Sequence, residues 1–158
     1  MWVDCRVARA TRTIATILYL LVHAGCTDVT GGAVELSWQL RPAAGTPTTQ
    51  PFIECTSGLP GTGPVTGVLL TWDVEGTPGS VTFDCIPKHG VTRFVVPPGN
   101  ALLSIRPVCA SGPAAPDTYI APAPVQRTVN VGDTVSLGAV ELVLQVNGCS
   151  PTQPCICQ

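Results

Sequence analysis

The side chains with most chemistry to offer in this chain are its eight cysteines, set among 158 residues that include only 8 lysines and arginines and 10 aspartates and glutamates. A thiol can ligate a metal, attack as a thiolate, carry a lipid, or be consumed in a disulfide. Spacing separates these uses. Zinc knuckles need paired ligands such as Cys-x-x-Cys. Here the only close grouping is Cys149-x5-Cys155-x-Cys157, and His89 is the sole histidine beyond residue 25. No metal ligand set is therefore assigned. The six cysteines Cys55, Cys85, Cys109, Cys149, Cys155 and Cys157 read as about three disulfides, with about fifteen possible connectivities. Cys155 and Cys157 are too close in sequence to bond each other without strain. The pairing favoured is Cys55 with Cys85, with Cys109 and Cys149 each taking one of the tail pair.

The remaining candidates for catalysis are sparse. A catalytic histidine needs an acid to orient it and a nucleophile in reach. His89 sits in Pro87-Lys88-His89-Gly90, a polar turn, with Asp84 nearest in sequence. Asp73 and Glu75 alternate outward at the end of one strand, and Asp84 is expected across a hairpin from them. Such carboxylates could act as an acid–base pair or take calcium, but a solvated strand end accounts for them more simply. There is no Gly-x-Ser-x-Gly elbow. The string Gly61-Thr62-Gly63-Pro64-Val65-Thr66-Gly67 lacks the lysine of a phosphate loop and runs into a strand, so no nucleotide is expected. Trp38 and Trp72 could form a sugar-binding platform if exposed, yet both lie in phase with valines and leucines and are expected in the core. Tyr119 is the better candidate for an exposed contact. No catalytic residue, no cofactor and no enzymatic activity are assigned.

Cys26 is a different case. Arg6, Arg9 and Arg12 precede the apolar run Ile14 to Val22, followed by Ala24-Gly25-Cys26. A basic segment, a greasy segment too short to span a bilayer, and small residues make an export signal. Ala24-Gly25-Cys26 resembles the lipobox of bacterial lipoproteins, with His23 where that family carries an apolar residue. The resemblance implies a signal peptide over residues 1–25, a diacylglyceryl group on Cys26, and a membrane anchor. Thr27 after the cysteine favours the outer membrane. Plain secretion, with cleavage after Ala24, is the alternative. A tether of residues 26–32 would hold the domain close to the membrane.

Without residues 1–25 the chain has nine acidic and five basic residues. It has no basic patch, which makes nucleic acid a poor partner. The elements that must position these residues are all strands. Val34, Leu36, Trp38 and Leu40 alternate with polar residues, as do Val68, Leu70, Trp72 and Val74. Further strands are expected at Phe52 to Cys55, Val81 to Cys85, Val91 to Val96, Ala101 to Cys109, Val125 to Val131 and Thr134 to Val146. Gly76-Thr77-Pro78-Gly79, Pro97-Pro98-Gly99-Asn100 and Gly132-Asp133 supply turns. Residues 110–124 form a long Pro/Ala loop, and Gly138 breaks the alternation of the last strand as a β-bulge would. The pattern predicts an all-β chain, one antiparallel β-sandwich of about seven or eight strands over residues 33–147, with a cysteine-rich tail at 148–158.

The stretch Phe94-Val95-Val96-Pro97-Pro98-Gly99-Asn100-Ala101-Leu102-Leu103-Ser104-Ile105 resembles the strand–Pro-Gly–strand hairpin of prealbumin-like modules, which include carboxypeptidase-regulatory-like domains. It implies a prealbumin-like sandwich, with an Ig-like one as the other possibility, and brings no functional residues. The expected role is a non-catalytic, membrane-anchored lipoprotein of the bacterial envelope, a module that binds an unidentified protein or glycan or supports the envelope, with loops 41–50 and 110–124 as its contact surface. The alternatives are a plainly secreted carbohydrate- or protein-binding module and, less favoured, a small hydrolase.

Overall fold

The computed structural model describes residues 28–43, 55–56, 65–109, 112–115 and 119–144. The leader with Cys5 and Cys26, most of the 44–64 segment, and the tail with Cys149, Cys155 and Cys157 lie outside the described residues. The described chain contains strands and no helix. The strands are β1 (Ala33–Pro42), β2 (Val65–Val74), β3 (Thr77–Asp84), β4 (His89–Val91), β5 (Gly99–Cys109), β6 (Gly112–Pro113), β7 (Tyr119–Ile120), β8 (Val125–Val129) and β9 (Thr134–Leu144).

Two sheets pack together. One has the order β4-β1-β9-β7, the other β3-β2-β5-β6, with β8 also pairing β5. The period-two pattern of the sequence shows directly in the core. Val34, Leu36 and Trp38 of β1 meet Val68, Leu70, Trp72 and Val74 of β2, and Ala101, Leu103 and Ile105 of β5. The packing of two apolar faces removes these side chains from water, the main favourable contribution to folding. Trp38 is 1% exposed and Trp72 8%. The Trp38 indole Nε1–H donates to the Cys85 carbonyl at 3.2 Å, and its ring stacks on Phe83 with centroids 6.1 Å apart. A buried indole needs such a partner.

A second, smaller cluster closes one end of the domain. It joins Val65, Cys85, Cys109, Ala114, Tyr119 and Leu144. The Cys55–Cys85 disulfide sits here, as expected from the sequence. Cys55 also makes a parallel bridge to Val65, so the bond ties the arriving chain to the rim of β2. Cys109 is disulfide-bonded as well, to a partner outside the described residues.

The sheets are not wholly antiparallel, which corrects the sequence expectation. β1 and β9 pair in parallel, from Ala33 opposite Thr134 to Pro42 opposite Leu144. Alternation along a strand cannot disclose direction, because inward and outward positions are the same either way. The bulge at Gly138 is present: the register steps from Glu35–Ser136 to Ser37–Ala139, so two residues of β9 oppose Leu36. Gly138 has φ +69°, a left-handed conformation that costs glycine little. The extra residue changes the parity of β9. Val135 and Leu137 point to the core before it, and Val140, Leu142 and Leu144 after it.

Other expectations need correction. Phe94 to Ile105 is not a hairpin. His89–Val91 pairs with β1 in one sheet, Val96 bridges Gly32, and Gly99–Cys109 pairs with β2 in the other. Pro97 and Pro98 lack amide protons and cannot extend a ladder, so the chain crosses between sheets there. The strand expected over Val91 to Val96 shrinks to His89–Val91, and the one expected to Val131 ends at Val129. The 110–124 loop contains two short strands, β6 and β7. The nine strands of the described residues thus exceed the expected seven or eight.

Candidate functional site

The outer faces hold the polar residues singled out in the sequence, and the structure brings few of them together. Asp73 pairs in register with Pro78, whereas Asp84 pairs with Gly67. Six ladder positions separate them, about 20 Å at ~3.4 Å per residue. The expected carboxylate cluster therefore does not form. Asp73 instead accepts the Gly76 amide at 2.8 Å and closes the β2–β3 turn, where Glu75 adopts φ 51°. Among the described residues no group of three or more histidine, cysteine or acidic side chains is arranged to hold a metal ion.

His89 has a carboxylate partner, but it is Glu35 and not Asp84. The His89 Nε2 to Glu35 Oε1 distance is 3.1 Å, with both side chains about half exposed. Ser37 lies opposite His89 in the β1–β4 register, yet its hydroxyl donates to the Gly138 carbonyl at 3.3 Å. The acid–base pair thus has no aligned nucleophile. An exposed pair of this kind contributes about 0–1 kcal/mol.

The aromatic platform is absent as well, because both Trp38 and Trp72 are core residues. Tyr119, expected as an exposed contact, is 8% exposed. β7 lays it against β9, with Tyr119 opposite Leu144, and its ring joins the disulfide-bearing cluster.

The concave feature lies at the edge of β5. Along that edge β8 pairs with Gly99 to Leu103, and β6 with Val108 and Cys109. Between them the edge strand is interrupted, because the chain leaves β6, visits the other sheet as β7, and returns through Ala121-Pro122-Ala123-Pro124. The Pro107 carbonyl points outward, accepting the Ala114 amide at 3.0 Å. By the alternation of an antiparallel ladder, the Ile105 N–H and C=O point the same way, into the gap. Pro122 and Pro124 have no amide with which to continue the β8 ladder toward them.

A cavity of about 400 Å³ occupies this gap, lined by Thr71, Ser104, Ile105, Arg106, Tyr119, Ala121, Pro122 and Pro124. Thr71 donates to the Ser104 carbonyl at 3.4 Å, which fixes the floor. The Arg106 Nε is buried without a hydrogen-bond partner. Buried donors left without partners are uncommon and costly, about 1–3 kcal/mol. Part of Arg106 has a packing role: its stem stands over Leu69, its register partner, which is buried although it points away from the main core. The donors of this cleft are the Arg106 guanidinium, the Ser104 hydroxyl and the Ile105 amide. They suit a ligand rich in oxygen acceptors. Sequence reasoning did not find the cleft, since three separated segments build it. The available signal was a lone outward arginine on a central strand beside a proline-rich loop.

Comparison with protein-family models, with curated proteins and with solved structures finds no match to this chain.

Proposed function

We propose that this chain is an exported, non-catalytic binding module of the bacterial envelope, held at the outer membrane by a lipid on Cys26. Its recognition site is the cleft beside β5, and its partner is a protein that presents an extended segment there. The observation that carries the reading is the interrupted β5 edge, where the gap between β8 and β6 and the Arg106 side chain line one cavity. A peptide strand supplies carbonyl acceptors and an N–H at the spacing of such an edge. The disulfide at Cys55–Cys85 supports an oxidising compartment. The Ala24-Gly25-Cys26 sequence supports the anchor. A β-sandwich is the fold type we favour, supported by the two packed sheets.

The test is photo-crosslinking from a benzoyl-phenylalanine placed at Ala121, with membranes from cells producing the full chain. A discrete adduct that disappears when Arg106→Ala is added is the expected result. Adducts indifferent to Arg106→Ala would remove the basis for the cleft. Plain secretion remains the second reading of the leader. Intact-mass analysis of the membrane fraction separates the two, since a diacylglyceryl adduct absent from Cys26→Ser appears only if the anchor is real.

A further inference from the structure

We propose that the end of the domain carrying Val29, Phe94, Val95 and Val131 lies in the lipid surface that holds the Cys26 acyl chains. This rests on the anchor reading and adds a docked orientation to it. The four side chains are 42%, 42%, 57% and 53% exposed, half of the eight large apolar side chains exposed among the described residues. They come from three segments that the backbone binds together. Gly32 and Val96 exchange amide–carbonyl bonds of 2.9 and 3.2 Å, and the Gly132 amide donates to the Gly31 carbonyl at 3.0 Å. The segment leaving Asp28 thus runs between the Phe94-Val95 turn and the Asn130–Asp133 turn.

Glycine is required for this close packing. A Cβ on Gly31 would stand 2.6 Å from the Val96 carbonyl oxygen, and one on Gly32 would stand 2.4 Å from the Val129 side chain. The tether is therefore fastened to the same two turns that display the apolar residues.

The length of chain beyond Asp28 chooses the occupant. Five residue steps separate Cys26 from Gly31, where the backbone is first bonded to the two turns, a reach of at most about 18 Å at ~3.6 Å per residue. Interfacial apolar groups sit roughly 5–10 Å deep at the headgroup–acyl boundary. A Cys26 at that boundary keeps the Gly31 end of the domain turned toward the bilayer and within reach of it. Arg93, exposed beside Phe94, is placed to meet anionic headgroups. Asp28 and Asp133 flank the same end, and Asp133 accepts from the Asn130 side-chain amide at 3.2 Å.

The test uses acylated Phe94→Trp protein purified from membranes, with its Cys26 adduct verified by mass. It is reconstituted into phosphatidylethanolamine–phosphatidylglycerol vesicles with or without lipids brominated near the headgroup end of the acyl chain. Trp38 and Trp72 are buried in the core, so the added indole dominates the quenching difference. The expected result is at least a two-fold loss of the emission of the introduced indole in brominated vesicles, and the same for Val131→Trp. Emission unquenched in both variants, with the adduct present, overturns the docked orientation and leaves the anchor standing. Lack of quenching together with a dimer in detergent would assign the patch to a second copy and also overturn it. A Cys26 without lipid overturns the anchor reading and the docking with it.

Discussion

Removal of the Cys55–Cys85 bond is the perturbation whose size the structure defines best. The bonded residues are 30 apart in sequence. Closing a loop of that length in the unfolded chain lowers its entropy by roughly 12 cal/mol/K, about 3.6 kcal/mol at 25 °C on the chain-entropy account. The double variant Cys55→Ala/Cys85→Ala should lose that amount, a fall in Tm of roughly 10–15 °C for a domain of this size. Cys85 is fully buried, so the alanine also leaves a small void of less than about 1 kcal/mol. The Trp38 indole bonds the Cys85 main-chain carbonyl, which the substitution keeps, so the near-ultraviolet circular dichroism of the folded state should survive. The assay is urea unfolding followed by that signal. The entropic origin also requires a larger m-value, because an uncrosslinked unfolded chain exposes more surface. A loss under about 1.5 kcal/mol, or a full loss with the folded Trp38 signal already gone in water, would refute the reasoning.

Further outcomes can be checked by the same unfolding assay. Trp38→Phe should cost about 0.5–1.5 kcal/mol for the lost hydrogen bond, because the Cys85 carbonyl keeps the Lys88 amide as a donor, and Trp38→Ala about 3–5 kcal/mol. Gly79→Ala should destabilise by about 1–3 kcal/mol, since its Cβ would stand 2.3 Å from the Trp72 ring; a compensating Trp72→Leu should recover part of the loss. Gly138→Val should cost about 1–2 kcal/mol from the left-handed backbone alone, as nothing lies within 4 Å of its Cβ position, whereas Gly138→Asn should be nearly neutral. Glu35→Gln should change stability by less than about 1 kcal/mol, and a larger loss would show that the His89 pair does more than the exposed geometry implies.

The strands easiest to read in the sequence were those with one face buried along their whole length. β1 and β5 alternate along most of their length, as β2 does in Val68, Leu70, Trp72 and Val74, so their inward residues were legible, including the burial of Trp38 and Trp72. Gly138 was legible because it broke a pattern. What escaped was non-local. β6 and β7 have two residues each, too few to show a period, and exist because β5 and β9 offer them open edges. Tyr119 is buried by that pairing and not by its own neighbours in sequence. The parallel direction of β9 against β1, the separation of Asp73 from Asp84, and the cleft at Ser104–Arg106 all depend on which strand lies beside which. Leu69 shows the same limit: its alternation points it outward, yet it is buried between its cross-ladder partners Thr82 and Arg106.

The parallel pairing of β1 with β9 also determines how the domain bears force. β1 begins at the end where Gly31 and Gly32 pack between the two turns, and β9 finishes beside Pro42 at the opposite end. Tension between the start of β1 and the finish of β9 slides the two strands past each other, so the hydrogen bonds of the whole ladder are loaded at once instead of opening one by one. A peeling geometry would fail at its first rung. This one resists as a shear joint, which suits a domain loaded through the segment that enters β1 and the one that leaves β9.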